Sequence, residues 1–334
     1  MMRAAHTERP QRDDDRRIGP YHLIARLDTA GPGLPPTPER RFIARGGGSA
    51  RTVIVSAPLD GIDPRRFLTE AHKAYETYGA HESREVYGAH ADRPRISPVI
   101  AVSPEPADPW YASPYLPALP LPTALAVHAG PLPEWSVRAL GAALAEALTG
   151  LHGAGVTHAG LSPAAVLLTA DGPLLTCFGA ARAAAPDGEP RLGRPGLEPG
   201  CLAPELAAGG RPRPPGDIYA LGSVLAYAAT GHTVPDRTEL PDSLRSLVAR
   251  CLSRDAAARP TAAEVLTTLT GTPPGPVDGK GYGYGDGNAP VATVLDPAPA
   301  TRVPLPSSRI VAAIARQSAD VLATDIALPS SPRI

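Results

Sequence analysis

The chain has 334 residues, with 32 Lys and Arg against 33 Asp and Glu and a formal net charge of -1, so the basic footprint of a nucleic-acid binder is absent. At 43% hydrophobic residues there is material for one large or two smaller cores; aromatics at 4% make that core aliphatic, and 33 Gly with 42 Pro call for long loops. Apolar runs are broken by Pro, Gly, Arg or Asp well before the roughly 18 residues of a membrane span. The stretch from Met1 to Gly19 is charged and lacks an apolar signal core, so a cytoplasmic protein with no membrane span is expected. Three cysteines, Cys177, Cys201 and Cys251, are too few and too widely spaced for a disulfide framework or a zinc ribbon.

Residues 1–16 are polar, of mixed charge and without periodicity, which predicts a flexible arm. YHLIARL, RRFIAR and RTVIVSAPL then read as antiparallel strands separated by Gly/Pro stretches. In DPRRFLTEAHKAYETYG, Asp63 can cap a helix, Pro64 suits its first turn, and Phe67, Ala71, Ala74 and Tyr75 recur at helical spacing. Two further β-like runs, ISPVIAV and WYASPYL, complete a strand-dominated unit over 17–116. The unit over 117–271 is mainly helical. Trp135, Val137, Leu140, Ala143, Leu144 and Leu148 predict a long buried helix, and AVLLTADGPLLTCFG is a hairpin about Asp171 and Gly172. GDIYALGSVLAYAATG and DSLRSLVARCLS add two helices. Residues 272–334 form a Pro/Gly-rich tail in which only 309–328 is patterned as a helix, with Ile310, Ile314, Val321 and Leu322 near one stripe.

This order of elements, with LHGAGVTHAGLSPAAVLL, CFG and APE in sequence, resembles the domain of a bacterial, actinobacterial-type serine/threonine protein kinase over roughly Arg17 to Thr270. His158, Leu161 and Pro163 fall in register with the catalytic-loop pattern His-Arg-Asp-Leu-Lys-Pro-x-Asn. Cys177, Phe178 and Gly179 stand at Asp-Phe-Gly, and Ala203, Pro204 and Glu205 reproduce Ala-Pro-Glu. Asp217 resembles the buried aspartate that supports the catalytic-loop backbone, and Arg259 the arginine that pairs with Glu205. The resemblance implies an α+β, two-lobed fold: a small β-rich N-lobe over 17–116 and a larger helical C-lobe over 117–271. His158, Phe178, Gly179, Glu205, Asp217 and Arg259 are then structural motif positions.

The chemistry-bearing positions depart from the pattern. Phosphoryl transfer rests on a lysine for the phosphates, an Asp and an Asn for Mg²⁺, and an Asp beside the attacking hydroxyl. Here Ser56 stands at the lysine, Gly160 at the catalytic aspartate, Ser162 at the loop lysine, Ala165 at the asparagine and Cys177 at the metal-binding aspartate. Lysine occurs only at Lys73 and Lys280, and asparagine only at Asn288. Glu70, at the family's partner glutamate, is left without its lysine. A thiol at Cys177 is a poor ligand for hard Mg²⁺.

The glycine-rich loop keeps only Gly31 and Gly33, with Asp28 and Ala30 at its first two glycine positions, and PPTPER inserts before the next strand. Ile54 replaces a small alanine that packs on adenine. Gly31, Gly33, Ile54, Glu70 and Leu167 thus outline a candidate cleft, but no cofactor is expected, with ATP and Mg²⁺ disfavoured on electrostatic and steric grounds. Cys177 reads either as a thiol in an emptied cleft or as a small core-lining residue, with no basic neighbour in TCFGA to activate it. His152 and His158 read either as a metal pair or as core histidines. The expected function is a catalytically inactive pseudokinase acting as scaffold or allosteric regulator toward a protein partner. Two alternatives are an atypical kinase or ATP-binding switch with noncanonical residues, and a platform presenting a C-terminal interaction helix.

Overall fold

The computed structural model describes residues 17–28, 33–46, 49–78, 95–236, 238–271 and 307–324. The arm expected over 1–16, the loop glycine Gly31, Lys280 and Asn288 lie outside the described residues.

The N-lobe is a sheet ordered β1-β2-β3-β4-β6-β5, from β1 (Arg17–Ile18), β2 (Tyr21–Arg26), β3 (Glu39–Gly46), β4 (Ser49–Pro58), β5 (Ala101–Val102) and β6 (Tyr111–Pro114). Every pairing in this sheet is antiparallel. Side chains alternate across a strand, so the β3–β4 register decides which residues share a face. Ile43 opposes Ile54 and Arg41 opposes Ser56, two residues further along both strands, which puts all four on the face toward the C-lobe. Ala44, Val53 and Val55 line the other face with Tyr21, Trp110 and Ala112.

Helix α1 (Pro64–Tyr78) starts where the Asp63 carboxylate accepts the N–H groups of Arg65 (2.8 Å) and Arg66 (3.0 Å). Those bonds hold Asp63 below the usual carboxylate range. Phe67, Leu68, Ala71 and Ala74 are buried, but Tyr75, expected on that face, is 45% exposed. One residue past Ala74, it has rotated out of the buried stripe.

The C-lobe begins at β7 (Ala118–Pro120) and α2 (Leu121–His128), followed by α3 (Glu134–Gly153). Strands β8 (Val166–Thr169) and β9 (Gly172–Leu175) pair with β7 in the order β7-β8-β9. Gly172 already pairs with Thr169, so the turn expected at Asp171 and Gly172 is made by Ala170 and Asp171. After α4 (Ala180–Ala184) and α5 (Pro204–Ala207) come α6 (Pro214–Thr230), α7 (Asp242–Cys251) and α8 (Ala262–Thr270). Val137, Leu140, Leu144 and Leu148 of α3 form one cluster with Ile218, Leu221, Val224 and Leu225 of α6 and Val265 and Leu269 of α8. A Cβ on Gly141 would lie 2.7 Å from Leu225 and 2.8 Å from Leu269, so the glycine sets how closely these helices approach. Trp135, expected in the buried stripe of α3, is instead 49% exposed in its first turn.

The last described element is α9 (Ser308–Ala323), which packs on α2 and β7. Among the described residues no helix is long and apolar enough to cross a membrane.

Candidate functional site

The cleft between the lobes rests on charged anchors. Asp217, in the first turn of α6, accepts the backbone N–H of His158 (2.8 Å) and of Ala159 (2.9 Å) through its two oxygens. His152, the other half of the paper metal pair, bonds Asp217 at 3.0 Å. The His158 ring lies edge-on to Phe178 with centroids 5.9 Å apart. His158 is fully buried, and desolvation outweighs the attraction of Asp217, taking its pKa down to about 4. Below the cleft Arg259 donates two hydrogen bonds to Glu205, at 2.6 and 2.8 Å, and its guanidinium stacks 5.1 Å from the Tyr219 ring. Among the described residues no group of three His, Cys, Asp or Glu is placed to hold a metal ion.

At the phosphate end the cleft is filled by Arg41. Its guanidinium, 1% exposed, donates to both oxygens of Asp28 (Nε to Oδ2 at 2.9 Å), to the Ala164 carbonyl at 2.7 Å and to Thr176 Oγ1 at 2.7 Å, with Cys177 Sγ at 3.8 Å. Burial alone would lower its pKa, but the Asp28 carboxylate overrides this and Arg41 is held firmly protonated. So the acid in the degraded loop, read from sequence as a group that repels phosphate, is already neutralised by a cation from the facing strand. Glu39, two residues before Arg41, is buried and accepts from the Tyr111 hydroxyl; desolvation raises its pKa. Ser56 lies in the same region, 1% exposed.

Gly160, at the catalytic-aspartate position, leaves no room for a side chain: a Cβ there would lie 2.1 Å from the Cys177 carbonyl oxygen. Cys177 takes a left-handed backbone, φ 60°. The sequence offered Cys177 no basic neighbour, yet Arg41 reaches it from β3. Burial still dominates, and with Glu39 it pushes the thiol well above its ordinary value. Ser162, Ala165 and Leu167 are all buried. Gly33 is exposed, and among the described residues a Cβ on it would meet nothing within 4 Å.

Glu70 is not left alone, as its missing lysine had implied. Arg182, from α4 just after the CFG run, donates to it at 2.6 Å, and Lys73 on its own helix at 2.7 Å. Gly179, φ 76°, is required beneath it, since a Cβ would lie 2.5 Å from Glu70 Oε2. Farther along this activation segment, Arg191 is fully buried and donates to the carbonyls of Ala181, Ala185 and Gly210. A Cβ on Gly196 would lie 2.8 Å from Thr37 and Pro38, so the PPTPER insertion packs on the activation segment instead of arching over a ligand.

At the apolar end, Leu27, Ile43, Ile54, Ala118 and Leu167 form one buried cluster, and Val321 of α9 is part of it. A cavity of about 20 Å³ remains between the lobes, lined in part by Ser56, Ser113, Leu167 and Cys177. That is room for about one water. Arg41 and Arg182 were missed by sequence reasoning, and Val321 was read only as part of a helical stripe, not as a cleft residue; the strand register alone could have pointed to Arg41.

No family model matches the chain. Among curated proteins, the serine/threonine-protein kinase AfsK of Streptomyces coelicolor is 31% identical over 277 residues, 77% of this chain and 32% of the relative. The probable serine/threonine-protein kinase PkwA of Thermomonospora curvata is 33% identical over 284 residues, 78% of this chain and 35% of the relative. The chain thus spans about a third of the length of these relatives. Among solved structures, the PknI kinase domain of Mycobacterium tuberculosis matches with a TM-score of 0.51 at 21% identity, covering 75% of this chain and 94% of that domain. A mutant form of the same domain gives 0.53 at 22%. At such identity the likeness shows the two-lobed kinase fold alone. With the curated relatives and the ordered motifs that frame the cleft, it follows that the chain belongs to the bacterial serine/threonine protein kinase family.

Proposed function

We propose that this chain is a pseudokinase: a kinase-fold signalling module that acts by binding a protein partner and transfers no phosphate. The observation that carries the reading is the enclosed Arg41–Asp28 pair. It fills the phosphate end of the cleft with a cation whose donors are spent on the chain's own acceptors. Catalysis of phosphoryl transfer is positioning and charge stabilisation, and groups that act as a unit lose their effect together. Lysine, aspartate and asparagine are replaced at Ser56, Gly160, Ala165 and Cys177, and the Gly160 backbone is closed against Cys177. The kinase activity in the relatives' names belongs to proteins of which the match covers about a third.

A second reading, an ATP-binding switch without turnover, is favoured by one feature. Arg41 stands across the hairpin from Ser56 and would offer a guanidinium to phosphate if Asp28 released it. The test is incubation of the full chain with radiolabelled ATP and Mg²⁺ or Mn²⁺, alone and with a generic acceptor protein. No incorporation is expected. Metal-dependent labelling beyond trace stoichiometry would overturn the proposal.

A further inference from the structure

The stripe on α9 is an internal contact. Ser307 caps the helix, its side chain accepting the Ile310 N–H at 3.4 Å. Ile310, Ala313 and Ile314 are buried in the C-lobe cluster that holds Leu121, Ala124 and Leu125 of α2. One turn on, Gln317 is 5% exposed; its Oε1 accepts the Ala118 N–H at 3.1 Å and the Tyr115 hydroxyl at 3.4 Å. Tyr115 and Ala118 belong to the segment joining the lobes. Val321, 2% exposed, reaches the cluster of Leu27, Ile54 and Leu167, in which Ile54 stands at the position that the resemblance assigns to adenine packing and Leu167 belongs to the candidate cleft.

From the N-lobe, Arg45 donates to the carbonyls of Val321 (3.2 Å) and Thr324 (3.3 Å), acceptors that a helix end leaves open. The spacing 310, 313, 314, 317, 321 is one face of a helix. Leu322, expected on that stripe, is 76% exposed, one residue off the face. Apolar docking alone needs no glutamine. A buried side-chain acceptor matched to one backbone N–H specifies register, because misplacing it would leave both groups unpaired.

We propose that α9 is a ligand of its own chain. It is an amphipathic helix seated at the apolar end of the interlobe cleft, binding both lobes at once, and it must leave before any other ligand enters there. This rests on the α9 contacts and not on the missing catalytic groups, so it stands or falls separately from the proposed inactivity.

The experiment is hydrogen–deuterium exchange with mass spectrometry on the full chain, compared with a synthetic peptide of residues 307–324. In the wild type, 310–323 should exchange roughly tenfold or more slowly than in the peptide, independently of protein concentration. The double variant Ile314→Asp with Val321→Asp should lose this protection and that of Ala118, while α3 and α6 stay protected. Added peptide should bind the double variant and re-protect Ala118, and should not bind the wild type. Should the double variant also expose α3 and α6, Gln317→Ala decides: it should speed exchange at Ala118 roughly tenfold. The proposal is overturned by any of four results: wild-type α9 exchanging at the peptide's rate, protection that rises with protein concentration, equal peptide binding to wild type and double variant, or unchanged Ala118 exchange in Gln317→Ala.

Discussion

Replacing Arg41 by Met removes the cation from the closed end of the cleft. Arg41 is 1% and Asp28 7% exposed, so the Asp28 carboxylate would be left out of water with no counter-charge. Breaking a buried pair from one side costs about 3–5 kcal/mol. The Ala164 carbonyl also loses its donor, at about 1 kcal/mol. With about 2–4 °C of midpoint per kcal/mol in a domain of this size, Arg41→Met should unfold about 10 °C or more below the wild type. The double variant Asp28→Leu with Arg41→Met buries no lone charge and should recover all but about 1–2 kcal/mol, since apolar replacement of a buried pair is often neutral. Urea and thermal unfolding of wild type, both single variants and the double variant close the cycle, with an expected coupling of about 5 kcal/mol or more. A loss below about 1 kcal/mol in Arg41→Met, or a double variant no better than Arg41→Met, would refute the idea that this pair seals the cleft.

Three further outcomes follow from the same geometry. Restoring the family aspartate by Gly160→Asp should cost about 3 kcal/mol or more, because its Cβ meets the Cys177 carbonyl at 2.1 Å; a variant as stable as wild type in urea contradicts this. His158 has a folded pKa of about 4 against an ordinary 6.5, so the unfolded chain takes the proton first and stability falls as pH drops from about 6.5 toward 4. At pH 4.5 this amounts to about 2.5 kcal/mol, so wild type should lose that much more than His158→Leu between pH 7 and 4.5; equal losses would refute the buried neutral ring. Finally, Cys177, Cys201 and Cys251 are buried with raised pKa, Cys251 to about 12. Native protein should stay unmodified by a thiol-disulfide reagent over minutes while denatured chain reacts at all three positions, and fast native labelling of Cys177 would revive the open-cleft thiol.

The two-lobed fold was legible because its anchors lie in order along the chain. His158, Phe178, Glu205, Asp217 and Arg259 bond to each other or to nearby backbone, and their spacing survives in one dimension. Missing groups at Ser56, Gly160 and Ala165 were legible as letters. What fills their place was not. Arg41 acts 135 residues from Thr176, and only the β3–β4 register puts it opposite Ser56. Arg182 reaches Glu70 across 112 residues, so a helix read by itself showed an orphaned acid. Periodicity gave α9 a wet and a dry face, but nothing in its sequence says that the dry face meets Leu121 and Ile54 of the same chain. Trp135 and Tyr75 erred for a simpler reason: a helical stripe is bounded by one residue of rotation, and both sit on its edge.

The central claim is that the cleft is occupied by the chain's own groups and takes no nucleotide. Isothermal titration of the full chain with ATP and Mg²⁺, paired with thermal unfolding at the same concentrations, measures this directly, because any ligand selective for the folded state raises the midpoint. The account predicts no saturable heat and no shift up to millimolar ATP. A saturable, Mg²⁺-dependent heat with a rise of several degrees would contradict it.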